Sequence, residues 1–145
     1  MNDWEKALDY FCVKARESHI DFCLIGSVTA SIRGVNIIPH DIDIIVNVKD
    51  FWKARDAFKD NIFKPFAEYA EGVVNYFGKI LVNDVVIDIS AKPHNMYGRH
   101  TIEMLCWNGH IIKSQTLELL QKVYQKNNRL EYSKAIDEYF ASMAI

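Results

Sequence analysis

The sequence predicts an α+β domain in which a mixed β-sheet is flanked by helices. Both ends of the chain carry apolar residues at helical spacing, while the middle alternates short apolar runs with polar breaks. Two asparagine-led dipeptides, Asn83-Asp84 and Asn108-Gly109, separate apolar runs in the way a tight β-hairpin requires. The 145 residues suit a single domain with a sizeable core. The expected layout is one domain over 1–145, with its core at about 21–90 and a C-terminal hairpin and helices at about 101–145.

Taken in order, Asn2 or Asp3 can cap a first helix whose apolar stripe is Trp4, Leu8, Phe11, Cys12 and Ala15. Residues 19–21 break that pattern, and 22–25 read as a short buried strand. Ser27 can cap a short helix reaching about Arg33, with Gly34 placed to end it. Pro39 disfavours helix at Ile38 and keeps the approach to Asp41 extended. Residues 42–48 read as a second strand, and Phe51, Trp52, Arg55, Ala57 and Phe58 as a helix of about ten residues. Residues 59–72 look irregular. Residues 73–82 and 85–90 are the arms of a hairpin turning at Asn83-Asp84.

The polar stretch 92–100, with Pro93 and Gly98, reads as a loop. Residues 103–107 and 110–113 enclose Asn108-Gly109, the strongest hairpin signal in the chain. Ser114 can cap a helix using Leu117, Leu120 and Tyr124, and a last helix uses Leu130, Ala135, Ile136, Tyr139, Phe140 and Met143. No internal repeat, low-complexity tract or interdomain linker interrupts this order.

Half the residues are apolar and a quarter charged, as in ordinary globular proteins. A net charge of −2 and a pI near 6.2 argue against a non-specific nucleic-acid or anionic-membrane binder, but leave room for a local basic pocket. Cys12, Cys23 and Cys106 are odd in number, far apart and form no CxxC, so Cys12 and Cys23 read as buried free thiols. The polar start lacks the apolar core of a signal peptide, and no apolar run approaches the ~18–20 residues of a membrane span. The expected setting is reducing and cytoplasmic, without a membrane partner.

The chemistry is concentrated in three acidic residues. Asp41 and Asp43 are two apart in a strand and should share a face, with Ile42 and Ile44 buried behind them. Paired carboxylates repel each other, which costs stability unless a cation sits between them. Asp88 stands alone in Val85-Val-Ile-Asp-Ile89, sharing a face with Val86 and Ser90, and should meet a cation or a donor. If the two strands are neighbours, the three carboxylates form a centre suited to two divalent cations about 3.5–4 Å apart. Hard oxygen ligands point to Mg²⁺ or Mn²⁺. Upstream, Gly26 and Ser27 end the first apolar run, where a small residue lets a ligand approach and helix-start amides can meet phosphate.

Ile25-Gly26-Ser27, then Asp41-Ile42-Asp43, then a lone Asp88 resembles the motif order of the nucleotidyltransferase-fold superfamily. The similarity is to its compact bacterial branch, which includes AbiEii-type, lincosamide and aminoglycoside nucleotidyltransferases, and it covers about 21–90. It implies transfer of a nucleoside monophosphate from an NTP, with ATP as the expected donor, to an acceptor hydroxyl. On this resemblance Asp41, Asp43 and Asp88 would bind the metals, and Asp88 would also take the acceptor's proton. Gly26 and Ser27 would hold the β- and γ-phosphates, and Lys122 would pair with the triphosphate, with Arg129 in a related position. The acceptor is open among a small molecule, a protein and a tRNA end, and a homodimer completing the cleft is compatible with so small a domain.

The chain departs from the family pattern just before Asp41. Many relatives place an Arg and a hydroxyl residue there, where this chain has Ile37-Ile38-Pro39-His40, leaving His40 or Arg33 to supply the charge. An alternative reading is therefore a weak or inactive nucleotidyltransferase fold kept as a binding or antitoxin-like module. Absence of a G-x-S-x-G elbow argues against a serine nucleophile, and His94, His100 and His110 lack a zinc spacing and read as surface or loop residues. Tyr76, Phe77, Tyr97 and Trp107 read as core or hairpin packing.

Overall fold

The computed structural model describes residues 1–70, 74–91 and 102–144, so the loop expected at 92–100 lies outside the described residues, with Tyr97, His94 and His100. The chain runs α1 (Asp3–Glu17), β1 (Phe22–Ile25), α2 (Ser27–Ser31), β2 (Asp41–Val46) and α3 (Val48–Ala57). A 3₁₀ turn (Lys59–Asn61) then leads into β3 (Ile62–Ala70), β4 (Val74–Val82) and β5 (Val85–Ala91). The remainder is β6 (Ile102–Trp107), β7 (His110–Gln115), α4 (Leu117–Lys126) and α5 (Leu130–Met143). The seven strands make one mixed sheet in the order β3-β4-β5-β2-β1-β7-β6.

Local chemistry explains most boundaries. Asn2 caps α1 in a reciprocal capping box with Glu5, satisfying two otherwise orphaned backbone donors. Asn83 and Asp84, and likewise Asn108 and Gly109, all have positive φ, as the two central residues of a type I′ hairpin turn must.

Three boundaries differ from the sequence reading. Ser27 does not cap α2: the N-cap is Gly26, whose carbonyl accepts from the Thr29 amide at 3.1 Å, and the helix stops at Ser31. Ser114 lies buried inside β7, and Thr116 caps α4 through its side chain. Residues 62–70 form a nine-residue strand, not an irregular segment. Pro65 and two register shifts mask its alternation, features an edge strand accommodates because one side needs no ladder partner.

One face of the sheet is covered by α1 and α3. Leu8, Phe11, Phe51 and Phe58 from the helical layer pack there against Ile42, Ile44, Ile80, Ile87 and Ile89, all fully buried. Each such side chain contributes ~1.5–3 kcal/mol through burial. Phe66 lies across Gly78 so closely that a Cβ there would come within 2.4 Å of its ring, which is how the outer strand β3 reaches this core. A second cluster joins Ala30 of α2, Val35 and Ile37 to Leu117, Leu120 and Tyr124 of α4 and Ile136 of α5. Cys12 and Cys23 are buried free thiols, as their apolar settings suggest, and Cys106 is exposed. No helix among the described residues is long and apolar enough to cross a membrane.

Candidate active site

Strand alternation sets the site. In β2, Ile42, Ile44 and Val46 are buried toward the helices, which turns Asp41, Asp43 and Ile45 to the opposite face. In β5, Val85, Ile87, Ile89 and Ala91 are buried the same way, turning Val86, Asp88 and Ser90 outward with the acids. The two strands are parallel neighbours with Asp43 paired to Asp88. One carboxylate oxygen from each of Asp41, Asp43 and Asp88 lies within 4.8 Å of the others.

Such crowding has an electrostatic cost. Burial first, and then the charges of Asp41 and Asp88, push the Asp43 carboxyl up to about 7. Asp41 is raised as well, by burial and then by Asp88. Asp88 Oδ1 is buried without a hydrogen bond. The Lys79 ammonium, from the paired position on β4, lies 3.4 Å from that oxygen, close enough for ion pairing but outside hydrogen-bond geometry. A buried acceptor with an unmet valence beside two more carboxylates is a donor set that fits a hard divalent cation.

Gly26 abuts this centre. It has φ +75°, and a Cβ on it would lie 2.6 Å from Asp43 Oδ2. Its amide, however, is not free for phosphate: it donates to Gln115 Oε1 at 3.0 Å. The Ser27 hydroxyl donates no hydrogen bond among the described residues. The corner is secured from below by Arg33, whose side chain is only 8% exposed. Its guanidinium donates to the Thr29 carbonyl (2.6 Å), Ser114 Oγ (3.1 Å), the Gln115 carbonyl (3.0 Å) and Glu103. Arg33 is thus spent on tying α2 to β6 and β7 and does not supply the charge missing before Asp41. His40 is exposed.

Lys122 is exposed and stands two residues from both Leu120 and Tyr124, on the side of α4 opposite its buried residues. On the buried side of the same helix, the Tyr124 hydroxyl is pushed up to about 12, chiefly by burial, with Asp43 among the contributing charges. Arg129 lies over the Tyr132 ring at 4.6 Å. His110 is buried, not a surface residue, and is bonded to Asp9 at 2.7 Å. Trp107 stacks on Trp4, and Tyr76 packs on Phe51 and Trp52, as core residues.

Lys79 was within reach of sequence reasoning. A two-residue turn at Asn83-Asp84 pairs Val82 with Val85 and so places Lys79 opposite Asp88. Gln115 and Arg33 carry no comparable signal, because their partners are brought in by tertiary packing.

No protein-family model matches the sequence, and no curated protein matches it. Solved structures do. A candidate nucleotidyltransferase from Thermotoga maritima aligns over 96% of this chain and 93% of its own, with a TM-score of 0.72 at 16% identity. The aminoglycoside nucleotidyltransferase ANT(2″)-Ia, solved with adenylyl-2″-tobramycin, aligns over 94% of this chain and 89% of its own, with a TM-score of 0.61 at 8% identity. A solution structure of the same resistance factor gives 0.65 at 11% identity, over 97% and 86% of the two chains. The chain has the nucleotidyltransferase fold.

Proposed function

We propose that the chain is a divalent-metal-dependent nucleotidyltransferase that moves a nucleoside monophosphate from an NTP, ATP being the expected donor, to an acceptor hydroxyl. The observation that carries this reading is the three-carboxylate cluster with its unbonded Asp88 oxygen, set beside Gly26 in a nucleotidyltransferase fold. Asp41, Asp43 and Asp88 would hold Mg²⁺ or Mn²⁺, which when bound neutralises the triphosphate and the charge developing on it. Ser27 and the close approach at Gly26 would receive the β- and γ-phosphates. Asp88 would accept the acceptor hydroxyl's proton as the new oxygen–phosphorus bond forms and the bond to pyrophosphate breaks. Lys122, exposed on α4, would pair with the triphosphate as a point charge.

A second reading, the fold serving as a binding or antitoxin-like module, is favoured by one observation: Arg33 is committed to Glu103 and β7 and so does not replace the cation that many relatives carry before Asp41. Titration with Mn²⁺ and ATP separates the two readings. Metal-dependent nucleotide binding, followed by label transfer from radiolabelled NTP to one of a set of tRNA, protein and aminoglycoside acceptors, is the expected result. Asp41→Ala should abolish it, and unchanged transfer in that variant would refute the assignment.

A further inference from the structure

Consecutive cross-strand pairs run Ile25–Asp43, Asp43–Asp88, Asp88–Lys79 and Lys79–Lys64, a single row across β1, β2, β5, β4 and β3. Gly26 and Ser27 begin where the row ends on the β1 side. In-line displacement requires the attacking oxygen and the leaving pyrophosphate to lie on opposite sides of the phosphorus. With pyrophosphate leaving toward Gly26 and Ser27, the acceptor must arrive across β5, β4 and β3.

That approach is cationic. The Lys79 ammonium lies 3.4 Å from Asp88 and 5.7 Å from the centroid of the Phe77 ring. The Lys64 ammonium lies over the same ring at 5.1 Å and over Tyr69 at 5.4 Å. Lys64 makes no ion pair with a carboxylate among the described residues. Lysines on edge strands commonly serve to deter strand pairing, in which case they extend into water. Here both converge on one half-buried aromatic ring beside the catalytic acids. Glu68, the acidic residue on β3, pairs with Tyr76 and so alternates to the other face from Ala67 and Phe77.

We infer that the acceptor carries a phosphate near its reacting hydroxyl and that Lys64 and Lys79 bind that phosphate; this rests on the nucleotidyl-transfer reading above. A polycationic aminoglycoside would meet two like charges on the same path. The local basic strip is compatible with a net charge of −2, because recognition at contact distance depends on the nearest charges and not on the sum.

The test measures binding, with three probes: a short single-stranded RNA with a free 3′ hydroxyl, ribose 5-phosphate and tobramycin. Lys64→Glu should weaken the phosphate-bearing probe at least tenfold, and the milder Lys79→Gln severalfold; for RNA, each change should reduce the salt slope by about one. Circular dichroism melts confirm that both variants fold. Lysine-dependent binding of the RNA identifies a nucleic-acid end, and of the sugar phosphate alone a small phosphorylated acceptor; either supports the inference. Binding of neither, binding indifferent to both lysines, or tobramycin binding to the wild type would overturn it. Mn²⁺-dependent ATP binding that Asp43→Asn abolishes and Lys64→Glu spares is read separately. Its absence in the wild type would defeat the nucleotidyl-transfer reading without touching the phosphate measurement.

Discussion

Gly26 and Asp43 are packed so closely that no side chain fits between them: a Cβ on Gly26 would stand 2.6 Å from Asp43 Oδ2. Gly34, eight residues on, also has positive φ but nothing within 4 Å of the corresponding position. The pair separates backbone strain from contact with the site. Alanine at either position should cost about 1–3 kcal/mol for its positive-φ backbone. Gly26→Ala should in addition displace the Asp43 carboxylate and weaken Mn²⁺ binding at least tenfold in a calorimetric titration, while Gly34→Ala leaves it unchanged.

Asp43 should make the ion-free protein sensitive to pH. Its carboxyl is raised from 3.8 to about 7, so the folded chain keeps a proton that the unfolded chain gives up. The corresponding stability is fully present below pH 3.8 and is lost as pH rises through about 7. Asp43→Asn removes that loss. In chelator at pH 8 the variant should melt a few degrees above the wild type, on the order of 2–6 °C, with the gap closing toward pH 5. Added Mn²⁺ should stabilise the wild type and not the variant; a variant that melts lower at pH 8 would contradict the electrostatic account.

Arg33 should be among the costliest surface-to-core links to break. Arg33→Ala leaves the Thr29 and Gln115 carbonyls and Glu103 without their shared donor. The expected loss is about 2–4 kcal/mol in urea denaturation. Arg33→Lys should recover less than half of it, since an ammonium cannot reproduce the planar fork that meets four partners.

Asp9 predicts the acid limb of the stability curve. It accepts from Asn108 Nδ2 at 2.8 Å and is joined to His110 at 2.7 Å, tying α1 to the β6–β7 turn. These hydrogen bonds, that to His110 foremost, lower its carboxyl below the usual value of 3.8. The stability so gained is present above pH 3.8 and lost as pH falls through the lowered value. Asp9→Ala should destabilise the protein by about 1 kcal/mol at neutral pH and flatten the decline between pH 5 and 3. Chemical denaturation across that range is the measurement.

Much of this architecture is legible in sequence wherever one local rule decides. Alternation put Asp41 and Asp43 on one face, and Asn83-Asp84 and Asn108-Gly109 marked both hairpins; Asp88 joins them because β5 pairs with β2, which the sequence held only as a condition. Legibility failed where two rules compete. Residues 62–70 contain a proline and two register shifts, which broke the period that identifies a strand. Ser114 and Thr116 are both capping residues, and only the continuation of β7 selects the second. Apart from Thr29, the partners that fix the Arg33 and Gln115 side chains lie 70 to 89 residues away, a separation at which composition and spacing say nothing of contact.

The hydrogen bond from the Gly26 amide to Gln115 spans 89 residues of chain. During synthesis the three carboxylates are all present once Asp88 has emerged, yet β1 still lacks its neighbour β7 and the Gly26 corner its anchor. Because domains are made from the N-terminus onward, the centre is completed only when the last quarter of the chain leaves the ribosome. A truncated or stalled product therefore has the acidic cluster without the anchored Gly26 corner, and the order of translation itself withholds a finished site from incomplete chains.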